Sequence, residues 1–175
     1  MKKDNFFDIY YQQGENPIFC YRSGNMVYEE GFENGALISY GWNASGYPLN
    51  VLTNCPTRIN RKHYAEPFSF NIEIDGQSVD FGLSFEDFET KKTDNNITSV
   101  LTLKSTIKPV KIKIFTLLDG TQMFSRWIEI ENLSDDYLNI SRLSLISGAL
   151  ESMDISDYHT DKSIEEYYST GYFYD

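Results

Sequence analysis

Histidine, cysteine and tryptophan are scarce in this chain, with two of each in 175 residues. Cys20 and Cys55 stand 35 positions apart (55 − 20). They permit one disulfide and exclude both a disulfide framework and a four-cysteine zinc site. His63 and His159 would need carboxylates gathered around them by the fold to hold a metal. Two unrelated histidines, on the surface or half-buried, are the default. No apolar run approaches the roughly 18 residues of a membrane helix. No apolar stretch follows Met1-Lys2-Lys3-Asp4-Asn5, so no secretory signal is visible. Both absences point to a soluble, cytoplasmic protein with no membrane partner. The four N-x-S/T sequons, at Asn43, Asn96, Asn132 and Asn139, then read as chance in a chain rich in Asn and Ser.

Basic residues are also few, 15 against 26 acidic ones, for a formal net charge of −11. They occur singly or in pairs such as Lys2-Lys3, Arg61-Lys62 and Lys91-Lys92. A polyanion meets a repulsive average field and no local exception, so nucleic acid is not an expected partner. A neutral ligand such as a sugar is indifferent to that field. The Gly-rich phosphate loop, H-E-x-x-H and G-x-S-x-G are all missing, and no cofactor is implied.

What is plentiful is aromatic and aliphatic surface. Hydrophobic residues make up 41% of the chain, including 13 Tyr and 12 Phe, and charged residues 23%, which excludes wholesale disorder. A chain of this length buries roughly 70% of its unfolded surface, enough for a core without staples.

The pattern of that surface is β. Residues 68–74 alternate apolar and polar up to Asp75-Gly76, and 78–83 resume the alternation, which predicts a hairpin. Residues 97–103, 110–115, 124–132 and 138–146 alternate likewise, and 18–21 and 37–40 are shorter candidates. In the 124–132 run, Phe124, Ile128 and Ile130 fall to one side, with Trp127 and Glu129 opposite. Lys108-Pro109, Asp119-Gly120 and the Ser134–Asp136 cluster punctuate the runs. Only 161–168 has a helical pattern, and it reads equally as loop. One antiparallel two-sheet β-sandwich domain over 1–175 is the expected architecture. The aromatic, strand-like segment 167–174 lies just before Asp175, which suggests an N-terminal piece of a longer enzyme.

Candidate chemistry is sparse. Acidic clusters, Glu86-Asp87-Phe88-Glu89 and Asp135-Asp136, read as solvated loops rather than as an acid–base pair for glycoside cleavage. Lys92-Thr93-Asp94-Asn95 reads as a β-turn between strands. The loop Gly41-Trp42-Asn43-Ala44-Ser45-Gly46-Tyr47-Pro48 is the most suggestive. Trp42 and Tyr47 either stack on the apolar face of a sugar or cap one end of the core, the second being the simpler reading.

Arg126-Trp127-Ile128-Glu129-Ile130-Glu131-Asn132, preceded by Asp119-Gly120, resembles the N-terminal β-sandwich domain of family 36 glycoside hydrolases, the bacterial α-galactosidases and their relatives. The Asp75-Gly76 hairpin after His63-Tyr64, and Leu143-Ser144-Leu145-Ile146-Ser147 after the Asn, fit the same layout. The resemblance covers about a third of the chain. It implies a large supersandwich of the galactose-mutarotase-like kind, followed by a catalytic (β/α)₈ barrel and a small β domain. The family's nucleophile and acid/base are aspartates of the barrel, and no residue here matches either motif. The resemblance therefore implies no catalytic residue in this chain. It implies a sandwich that packs on the barrel of the same parent chain, supports homo-oligomer assembly and lends a loop near the active-site mouth. The Trp42 loop does not match the family's signature at that place. Two other functions stay open. One is a stand-alone carbohydrate-binding sandwich, and the other a mutarotase-type enzyme with histidines as acid and base.

Overall fold

The alternating runs become strands because each offers one face to a core and one to water. The computed structural model describes residues 6–44, 46–47 and 68–146. Its strands are β1 (Phe7–Gln12), β2 (Ile18–Ser23), β3 (Met26–Glu33), β4 (Ala36–Asn43), β5 (Asn71–Ile74) and β6 (Gln77–Ser78). They continue as β7 (Leu83–Lys92), β8 (Ile97–Ser105), β9 (Val110–Leu118), β10 (Phe124–Asn132) and β11 (Ile140–Ser144). The described residues contain no helix, and every strand pairing is antiparallel. Two four-stranded sheets, β1-β2-β3-β4 and β10-β9-β8-β7, pack face to face, and a small sheet β11-β5-β6 completes the set. The fold is an all-β, antiparallel sandwich. Cys55, Arg61-Lys62, His63-Tyr64, Ser45 of the first sequon, His159, the 161–168 segment and the 167–174 segment lie outside the described residues.

Tight turns set the register. Asn34-Gly35 and Asp75-Gly76 both have positive φ at each position (51° and 75°; 51° and 74°), the geometry of a type I′ hairpin turn that follows strand twist. The expected hairpin at Asp75-Gly76 is present, but its second arm ends at Ser78 rather than running to Leu83. The reason is Asp80. Its buried carboxylate accepts hydrogen bonds from Ile72 N (2.6 Å), Asn71 Nδ2 (2.9 Å) and Ser78 Oγ (2.8 Å), taking a backbone donor that a longer strand would have used. The acidic residues 86–89, read as loop, instead sit on β7, where an edge strand tolerates exposed charge. The turn expected around Thr93 is present, with Thr93 N donating to Asn96 O at 2.8 Å.

Two bulges decide which side chains meet. In β7 the register passes from Phe85↔Leu103 to Asp87↔Thr102, so Glu86 is extra and Phe85 and Phe88 both turn inward. There Phe88 meets Tyr11 and Phe19 at 4.8 and 4.7 Å between ring centroids. In β4 the register passes from Glu29↔Gly41 to Glu30↔Ser39, so Tyr40 is extra. Trp42, Ser39 and Leu37 then share the core side. Tyr40 crosses to the opposite face, where it joins Ala36, Ile38 and Phe68. Its ring lies on Gly31, where an added Cβ would sit 2.5 Å from it, so only glycine fits.

The main core fills the space between the large sheets: Leu101, Leu103, Ile112, Ile114 and Leu118 from one, Phe19, Tyr21, Tyr28 and Leu37 from the other. Phe70, Ile72, Ile74 and Val79 close it from the β5–β6 side. β1 lies over β8 and β2 over β9, an aligned packing. Cys20 and Glu29, on the far face of β2 and β3, are buried too.

Candidate functional site

Among the described residues, one ion pair lies buried between the two large sheets. β3 continues its inward series Tyr28, Glu30, Phe32, so the Glu30 carboxylate is aimed at the opposite sheet. On β10 the inward series is Phe124, Arg126, Ile128, Ile130. The two meet between the sheets: Arg126 Nη2 donates to Glu30 Oε2 at 2.9 Å and to Oε1 at 3.2 Å. The side chains are 0% (Glu30) and 2% (Arg126) exposed. Tyr21 OH donates to Glu30 Oε1 at 2.8 Å and Tyr28 OH to Oε2 at 3.0 Å. The Arg126 guanidinium also stands 5.4 Å from the Tyr28 ring centre, within cation–π range.

The electrostatics follow from burial. Burial and the Glu30 carboxylate push both tyrosines well above the ordinary phenol range, Arg126 pulling the other way. The Ser69 and Ser39 hydroxyls stand beside Tyr28 OH and also favour its ionised form, though neither completes a well-formed hydrogen bond. For Arg126, burial by itself favours the neutral form, but Glu30 with Tyr28 and Tyr21 outweighs it and raises the pKa. Arg126 therefore stays protonated, and both phenols keep their protons. Such a centre can hold two sheets in register. Among the described residues both of its charged side chains are closed off from solvent.

Trp42, one of the two residues proposed to bind a sugar, is stacked in this neighbourhood. Its ring lies 4.2 Å from Tyr28 and 4.9 Å from Phe124, which makes it a cap on the polar centre. Tyr47 is 69% exposed and makes no ring contact with Trp42 among the aromatic pairs of the described residues. The two therefore do not form one aromatic platform. The exposed indole is instead Trp127, on the outer face of β10, stacked on Phe115 at 4.9 Å and 5°, with the cross-strand pair Glu129–Lys113 next to it along the same face.

Cys20 is a free thiol, buried, and its pKa is pushed up to about 12 by burial and by Glu29. It is chemically quiet. No group of three or more metal-binding side chains occurs among the described residues. No helix long and apolar enough to cross a membrane occurs among them either.

Arg126 was legible as an in-phase member of an apolar series, since it follows Phe124 and precedes Ile128 at period two. Glu30 was not, because Glu29-Glu30-Gly31 interrupts the apolar pattern of its strand and nothing local marks a carboxylate as buried. Against known proteins, the chain matches no family model, no curated protein and no solved structure.

Proposed function

We propose that the chain is a non-catalytic β-sandwich domain of an α-galactosidase-like glycoside hydrolase, one that supports a catalytic barrel and oligomer assembly. The observation that carries this reading is the use made of Arg126. It opens the Arg-Trp-x-Glu motif on which the resemblance rests, and its Nη2 is held by Glu30 across the two sheets. That is the work of a scaffold. The apolar side chains Ile140 and Leu143 on β11, exposed at 47% and 46%, suit a surface that packs on a neighbouring domain.

The pure chain is expected to leave an aryl α-galactoside unhydrolysed. Mixed with an α-galactosidase barrel deprived of its own sandwich, it is expected to co-sediment. Turnover by the pure chain, abolished by a point substitution within it, overturns the reading, as does failure to bind such a barrel. A second reading, a stand-alone carbohydrate-binding module, is favoured by the Trp127–Phe115 pair on the outer face. Titration with galactosides and oligosaccharides, read by Trp127 fluorescence in the wild type and in Trp127→Ala, separates the two.

A further inference from the structure

One interior row of the β10-β9-β8 sheet breaks an otherwise apolar pattern. Phe124, Leu118 and Ile97 form one row, and Ile128, Ile114 and Leu101 another. Between them lie Arg126, Thr116 and Ser99, directly opposite one another on adjacent strands. Thr116 and Ser99 are each 1% exposed. Thr116 Oγ1, Ser99 Oγ, Arg126 Nε and Arg126 Nη1 are buried without a protein hydrogen-bond partner. Native proteins very rarely leave four such atoms unsatisfied in one place.

The chemistry of the missing partner can be read from what is left over. Arg126 has five N–H donors, and Glu30 engages only those on Nη2. Each hydroxyl offers a donor and acceptor lone pairs. The partner must therefore both donate and accept, and it must be neutral, since Glu30 already balances Arg126 and an anion would leave uncompensated charge in the core. It must also be small. Ser99 and Thr116 stand where the flanking rows carry Leu and Ile, and their short side chains leave room between sheets packed about 10 Å apart.

We propose that this row is an internal hydration site, in which ordered water bound by Arg126, Thr116 and Ser99 is a constitutive part of the sandwich. Such water completes the hydrogen bonding of the ion pair from the side Glu30 does not reach. It also makes the pairing of the sheets directional. A one-residue slip of β10 would remove Arg126 from both Glu30 and the wet row.

The sign of a single substitution tests the idea. Thr116→Val conserves shape and removes the hydroxyl. If the row is wet, the urea midpoint falls. If the row is dry, the substitution relieves an unpaired polar group and the midpoint holds or rises, which overturns the proposal. Oxygen-17 relaxation dispersion of the full chain supplies the direct readout. The wild type is expected to show a contribution from long-lived water, and Ser99→Ala/Thr116→Val to lose part of it. Equal amplitudes in the two proteins overturn the proposal. Should the double variant not fold, Ser99→Ala alone carries the comparison.

Discussion

At the scale of single residues, the Glu30–Arg126 pair is the most consequential contact in the molecule. Burying two charges costs more than their attraction returns unless hydrogen bonds complete the shell, which is the office of Tyr21 and Tyr28. Removing one partner strands the other. Arg126→Met is therefore expected to cost about 3–5 kcal/mol. Adding Glu30→Met to it is expected to recover stability rather than lose more. A double-mutant cycle by urea denaturation checks both, and additive losses would show that the ions act independently. Asp75 offers a milder case on the surface. The Asn139 N–H and Lys108 hold its carboxyl below the ordinary carboxylate range. A depressed carboxyl stabilises above its unfolded pKa, and that contribution disappears as pH falls through the folded value. Asp75→Asn keeps the left-handed turn geometry. It is expected to be less stable than wild type near neutrality and to converge with it in strong acid, as followed by thermal melts across pH.

At the scale of elements, alternation decides which face of β10 is wet. Ile128 packs against the core and Glu129 is exposed, as the period-two pattern predicts. Ile128→Ala is expected to cost about 2–4 kcal/mol as a truncation at a partly buried site. Glu129→Ala is expected to stay within about 0.5 kcal/mol. Equal denaturation midpoints would reverse the face assignment. Elsewhere the elements depend on irregularities that alternation does not reveal. Without the extra Tyr40 in β4, Ser39 and Leu37 would face away from the core while Trp42 faced into it. Without the extra Glu86, Phe85 and Phe88 would lie on opposite faces.

At the scale of the whole molecule, alkali should undo the sandwich from its centre. The Tyr21 and Tyr28 pKa values are raised by burial and by Glu30, so the folded state holds their protons more tightly than the unfolded chain. The stability they confer is complete below the unfolded phenol value, about 10. It is lost as pH rises from there toward the folded values. Absorbance at 295 nm is expected to show tyrosines that ionise only together with unfolding. Tyr21→Phe/Tyr28→Phe is expected to flatten the alkaline part of the stability curve, and an unchanged curve would show that these phenols do not govern it.

The all-β class, the runs at β8, β9 and β10 and the Asp75-Gly76 turn were determined by the sequence itself, because period-two patterning and left-handed turn residues are local properties. β1 is not marked by the pattern because Ile9-Tyr10-Tyr11 breaks its alternation, and β3 because Glu29-Glu30-Gly31 interrupts its hydrophobicity. Whether Trp42 met a ligand or the core was open in the sequence, and the tertiary structure placed it on Tyr28 and Phe124. The partnership of Glu30 with Arg126 spans 96 positions and two sheets. No local pattern encodes it: a carboxylate reads as solvent-facing until the opposite sheet brings a guanidinium to it.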